Sequence, residues 1–140
     1  MKNIRKQWKL LLLGSVTAVL LLLGGCKTAD EAECIRELEY TVLAKENIPT
    51  ELLEELEARK SKLFQVTYED GAYLYLCVGY GEQESGGYCI QTRELALYEE
   101  YILLDTVLMG PTQEEAAQKV SSAPYLVIRT EALDYPVVFR

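Results

Sequence analysis

Histidine is absent from all 140 residues. That removes the base on which Ser-His-Asp and Cys-His nucleophiles depend, and it removes the commonest zinc ligand. Cysteine is scarce: Cys26, Cys34, Cys77 and Cys89, no two of them at metal-ligand spacing. The acidic residues form no EF-hand pattern. Gly79 and Gly81 with Gly86 and Gly87 lack the Lys-Ser/Thr pair of a phosphate-binding loop, and no helical pattern follows them. No internal repeat and no low-complexity tract is present. Two carboxylates meeting in a cleft would suffice for hydrolysis, but the spacing of the acidic residues singles out no pair. No catalytic residue, cofactor, metal site or small-molecule substrate is therefore expected.

Positive charge is also scarce, and much of it lies at one end. Met1 to Lys9 holds Lys2, Arg5, Lys6 and Lys9 and no acid. Leu10 to Gly25 follows, uncharged and mostly apolar, with small residues at its close. A basic n-region, an apolar h-region and a small-residue cleavage site make a secretory signal over residues 1–25. The apolar run is shorter than the ~20 residues of a membrane-spanning helix. Leu23-Gly24-Gly25-Cys26 resembles a bacterial lipobox. The resemblance implies that Cys26 carries a diacylglyceryl thioether and becomes the mature N-terminus. The alternatives are an uncleaved anchor or an ordinary signal beside a chance cysteine. Two acyl chains hold a protein stably on a membrane, so the expected location is the extracytoplasmic face of the cell membrane.

Setting the four signal-segment cations aside leaves 14 − 4 = 10 basic against 22 acidic residues, a balance of −12. Such a domain is repelled by nucleic-acid backbones and anionic lipid headgroups. Nucleic acid is not expected as a partner, and the lipid anchor rather than surface charge is expected to supply the membrane contact. Residues 26–35 read as an acidic tether, with a reach of roughly 20–30 Å. Residues 36–140 are long enough for one β-rich domain with its own core.

Arg36 to Ala44 alternates weakly and favours a strand over a helix. Pro49 and Thr50 open the clearest helix, with Thr50 read as N-cap, acids in the first turns and Arg59, Lys60 and Lys62 in the last. Leu52, Leu53, Leu56 and Leu63 give it one apolar face. Phe64 to Tyr68 is a strand, Asp70-Gly71 a hairpin turn, and Ala72 to Tyr80 the return strand. This last strand is apolar or aromatic on both parities, as expected for the middle of a sheet covered on both faces. Gly81 to Gly87 is a loop and Tyr88 to Leu95 a strand. Pairing across that loop sets Leu76 beside Ile90 and Cys77 opposite Cys89. That register makes a Cys77–Cys89 disulfide available outside the cell; the alternative is two small buried thiols. Tyr98 to Met109 is a further strand. Pro111 to Glu115 has capping-box spacing before a short helical turn, Pro124 to Thr130 is a β-branched strand, and Val137 to Phe139 a terminal edge strand. The fold class is α+β: a predominantly antiparallel β sandwich or half-barrel, one main N-terminal helix and a short second helical turn.

Tyr75-Leu76-Cys77-Val78-Gly79-Tyr80-Gly81-Glu82 is followed by Ser85-Gly86-Gly87-Tyr88-Cys89-Ile90. Gly110-Pro111, Ala123-Pro124-Tyr125-Leu126-Val127-Ile128 and Pro136-Val137-Val138-Phe139 come after, in that order. This set, from Tyr73 to Phe139, resembles the C-terminal domain of the PrcB family of protease-complex subunits. Glu39 through Gly71 is similar to the extension of lipoprotein members. Two departures are Glu84-Ser85 before Gly-Gly-Tyr, where many members have Pro-Thr or a similar pair, and Cys89, where Ser is more usual. The resemblance implies a non-catalytic lipoprotein that binds and stabilises another protein, with a protease as the partner it suggests. The loop followed by Gly-Tyr is also similar to the inhibitory loop of chagasin-type cysteine-protease inhibitors. The partner-binding residues expected are Gly81, Glu82, Gln83, Glu84, Ser85, Gly86, Gly87 and Tyr88, with Pro124 and Tyr125; the inhibitor reading uses the Gly81–Tyr88 loop alone. The alternative role of Gly86, Gly87 and Tyr88 is structural: a tight loop and a ring that caps the core.

Overall fold

A computed structural model of the chain describes residues 32–140. The signal segment, Cys26 and most of the expected tether lie outside these residues. In order, the chain forms β1 (Cys34–Glu37), β2 (Tyr40–Val42), a 3-10 turn (Lys45–Asn47), α1 (Thr50–Arg59), β3 (Leu63–Glu69), β4 (Tyr73–Tyr80), β5 (Cys89–Tyr98), β6 (Ile102–Met109), α2 (Gln113–Ala117), β7 (Tyr125–Glu131) and β8 (Val137–Phe139).

The strands make two separate four-stranded sheets, ordered β2-β7-β4-β3 and β1-β5-β6-β8. Every pairing is antiparallel except that of β6 with the terminal strand β8. The architecture is thus a sandwich, not one sheet curled into a half-barrel. β4 explains why. Its residues Leu74 to Gly79 are buried without interruption. Leu74, Leu76 and Val78 pack with Leu95, Leu97, Ile102 and Leu104 of the facing sheet. Tyr75 and Cys77, on the opposite parity, pack with Leu52 and Leu56 of α1 and with Phe64 and Val127. One strand contributes to two cores.

α1 follows from its charge order and leucine spacing. Glu51 lies in the first turn and Arg59 in the last, each favourable to the helix dipole. Leu52 and Leu56, one turn apart, are buried against the sheet, and Leu53 is half-buried. Two details differ from expectation. Pro49 occupies the N-cap position and Thr50 is the first helical residue. Leu63 leaves the stripe; it opens β3 and is 69% exposed.

The strand expected over residues 36–44 is divided. β1 joins one sheet and β2 the other, and Leu38 between them is buried in the core shared by the sheets. β1 starts at Cys34, so the domain takes up the last two residues assigned to the tether. The strand expected from Tyr98 is also divided. A turn closes between β5 and β6, with the Tyr98 N–H donating to the Tyr101 carbonyl at 2.8 Å and the two rings stacked 5.0 Å apart.

The Cys77–Cys89 pairing does not form. β4 has its two edges occupied by β3 and β7, so β5 has no edge to pair with and crosses to the other sheet. Cys77 lies opposite Val66 and Val127, while Cys89 lies opposite Met109. Cys34, Cys77 and Cys89 are free thiols, Cys77 buried and the other two exposed. Burial pushes the Cys77 thiol up to about 12.

Candidate functional site

The Gly81–Tyr88 loop carries the chain from one sheet to the other, and it is fastened along its length. Gly81 is buried with φ +74°, and a Cβ there would lie 3.2 Å from the backbone of Lys62 and Leu63. Only glycine accepts both constraints. The Glu82 N–H donates to the Ser61 carbonyl at 3.3 Å. Gln83 and Ser122 exchange two backbone hydrogen bonds, 2.8 and 3.2 Å, as an isolated antiparallel bridge. The Gln83 side-chain amide donates to the Tyr80 carbonyl at 3.1 Å, and the Ser122 hydroxyl donates to the Ser85 carbonyl at 2.6 Å. Ser85 is itself buried.

The far end of the loop meets α2. Gly87 has φ +82°, and a Cβ there would run into the Glu115 carboxylate and come within 2.9 Å of Pro111 Cβ. Glu115 is fixed by the capping box anticipated from the sequence. Its carboxylate accepts the Thr112 N–H at 2.9 Å, and its own N–H reaches the Thr112 hydroxyl at 3.4 Å. The Thr112 N–H, and after it the Thr112 hydroxyl donating to the same carboxylate at 2.8 Å, hold the Glu115 carboxyl below the usual carboxylate range. The loop, Pro111 to Glu115 and Ser122 to Tyr125 therefore form one continuous surface. The positions expected to lie together do so. Of those positions, Glu82, Glu84 and Gly87 are exposed, and Gln83, Gly86, Tyr88, Pro124 and Tyr125 are half-buried.

Beside the loop lies a cleft of about 460 Å³ lined by Lys45, Glu57, Lys60, Glu82, Ser122 and Tyr125 among others. Glu57 is its electrostatic centre. Its carboxylate receives Lys45 Nζ at 2.8 Å, Lys60 Nζ at 2.6 Å and the Tyr125 hydroxyl at 2.9 Å. The two lysines and the phenol together hold the Glu57 carboxyl at about 2. The Tyr125 phenol is pushed up to about 12, first by burial and then by its bond to Glu57. Neither group changes protonation near neutral pH, so neither is tuned to move protons there. The arrangement orders the side chains and presents a mixed-charge surface.

Lys45, Glu57 and Ser122 were not singled out from the sequence. The i,i+3 spacing of Glu57 and Lys60 is a legible helix pair. Nothing in the local pattern signals that Ser122 pairs with Gln83, because that bridge joins segments far apart in the chain.

Residues 74–131 match the protein-family model described as PrcB C-terminal. The match begins in β4 and ends with β7. It thus contains the inner strands of both sheets, β4 and β7 in one and β5 and β6 in the other, together with the loop and α2. The strands and helix outside it, namely β1, β2, β3, β8 and α1, are edges and cover. No curated protein matches the chain, and no solved structure does.

Proposed function

We propose, from the premise that residues 74–131 are a PrcB C-terminal domain, that the chain is a non-catalytic accessory lipoprotein. Cys26 anchors it at the extracytoplasmic face of the cell membrane. It binds and stabilises a protein partner, a protease complex being the partner the family suggests. The observation that carries the reading is the convergence of the Gly81–Tyr88 loop, Pro111 to Glu115 and Ser122 to Tyr125 on one side of the family-matched strands. Loops fixed to a rigid sheet are frequent binding elements. An inhibitor of the chagasin type needs a free-standing loop to enter a cleft. Five backbone or side-chain bonds, to Ser61, Tyr80 and Ser122, tie this one down, which favours a flush contact surface.

The test is in-cell crosslinking and capture with the full chain as bait. Glu82→Lys with Glu84→Lys reverses charge at the two exposed loop acids and spares Gln83, whose amide holds the Tyr80 carbonyl. The captured partner should be lost while the unfolding midpoint stays put. Undiminished capture would place the binding surface elsewhere. Cys26→Ser separately tests the anchor: the variant should lose lipid labelling and membrane association, and a variant labelled and bound like the parent would refute the lipobox reading.

A further inference from the structure

The sandwich has four edge strands, and three of them are blunted. β2 and β8 are three residues each, and β1 is four residues with a register shift between Cys34 and Arg36. β3 is different. It runs seven residues, Leu63 to Glu69, in unbroken register with β4. Among the described residues, no backbone hydrogen bond from Leu63 to Glu69 goes to any strand or loop other than β4. It contains no proline, lysine or bulge, and its one charged side chain, Glu69, stands at its end rather than in its middle. Leu63, Gln65, Thr67 and Glu69 are exposed along it.

We propose that β3 pairs with β3 of a second copy of this chain, antiparallel and about a two-fold axis at Val66. The sequence around that axis is complementary to itself. Leu63 falls opposite Glu69, Phe64 opposite Tyr68, and Gln65 opposite Thr67. One step beyond the strand, Lys62 falls opposite Asp70 at both ends. Lys62 takes part in no ion pair among the described residues. Asp70 is already fixed in place, its carboxylate accepting the Ala72 and Tyr73 N–H groups and the Tyr75 hydroxyl. Opposite charges across a strand pair stabilise it and like charges oppose it; this register sets no two like charges face to face. A slip of one residue would set polar side chains against the helix-facing row. Moving the axis to Gln65 or Thr67 shortens the overlap and separates Lys62 from Asp70. The paired edges would join two four-stranded sheets into one of eight. β3 lies outside residues 74–131, so the contact belongs to the part of the chain that the family match does not cover, and it does not rest on the accessory-subunit reading.

Sedimentation equilibrium of the full chain in density-matched detergent tests this. Two copies per particle are expected. Gln65→Lys with Thr67→Lys sets four lysines across the axis at exposed positions and should give single copies with an unchanged circular dichroism spectrum. Mixing that variant with Gln65→Glu/Thr67→Glu should restore the two-copy particle as a heterodimer. This rescue separates a pairing effect from lost folding. A parent that sediments as one copy at every concentration overturns the proposal. So does a lysine variant that still forms dimers, which would place the contact elsewhere. If the parent is single but the lysine variant loses a different protein captured in cells, the edge serves that protein and self-pairing is wrong.

Discussion

The two sheets use their faces unequally. In β2-β7-β4-β3 the inner face meets the other sheet, and the outer face meets α1 through a second cluster built on Leu52, Leu56, Phe64 and Cys77. In β1-β5-β6-β8 the inner face joins the shared core. On the outer face, Ala96 and Leu103 are buried but belong to neither cluster, and Val138 beside them is 43% exposed. The strand sequences follow this inequality. β4 is buried at six successive positions, whereas β5 alternates along its first half and closes up only from Leu95 to Leu97. Hydrophobicity on both parities thus reports a strand that is covered twice.

The comparison is tested hardest at Leu76, which is fully buried between the sheets. Leu76→Ala should cost about 2–5 kcal/mol, read from the midpoint of chemical unfolding. Leu56→Ala on the helix side should cost a similar amount in the same single transition. A separate early transition for Leu56→Ala would mean that the two cores are not one cooperative unit. Gly79→Ala tests the outer face next. A methyl there would overlap the Phe64 ring, and such overpacking costs about 1–3 kcal/mol. An unchanged midpoint would mean that the ring has room to retreat.

Glu57 gives a smaller, pH-dependent effect on the same side. Its carboxyl sits at about 2 in the fold against an ordinary 4.5. A carboxyl lowered by folding adds stability above its unfolded pKa and loses it as pH falls toward the folded value. The loss therefore runs between about pH 4.5 and 2, and Glu57→Gln should flatten the acid limb in that window. The flattening should be slight, because both lysines are exposed and water screens them. Equal acid limbs for parent and variant would remove Glu57 as a contributor. Smallest of all is Val138→Ala on the outer face of the second sheet. A change within about 0.5 kcal/mol is expected, and a larger loss would reveal a core there that the exposure of Val138 does not indicate.

What was legible in the sequence was local. The double-sided apolarity of β4, the leucine spacing of α1 and the Thr112–Glu115 capping box each depend on neighbours within a few residues, and each is present. The grouping of the Gly81–Tyr88 loop with Pro111 and Pro124–Tyr125 came from the family resemblance. What failed was strand partnership. Pairing β4 with β5 is the short-range choice, yet a strand has only two edges, and β3 and β7 take both. β7 lies some fifty residues downstream, and its side-chain pattern carries no label naming its neighbour. The same limit hid the division of residues 36–44 between two sheets, since the alternation continues across the break at Leu38. At the candidate site, Tyr125 was visible through the resemblance, but its bond to Glu57 was not. That contact exists only once α1 lies on the sheet.

β4 also sets an order of events on a growing chain. It pairs with β3 across the turn at Gly71, but its second neighbour, β7, begins at Tyr125. Synthesis runs from the N-terminus, so the chain makes a strand apolar on both faces long before it makes the strand that completes the sheet. Until β5 and β6 follow, Leu74, Leu76 and Val78 lack the facing sheet, and until Tyr125 follows β4 still lacks β7 at its second edge. A chain that ends before residue 125 thus leaves one edge of a doubly apolar strand unpaired, the condition that favours aggregation of incomplete chains.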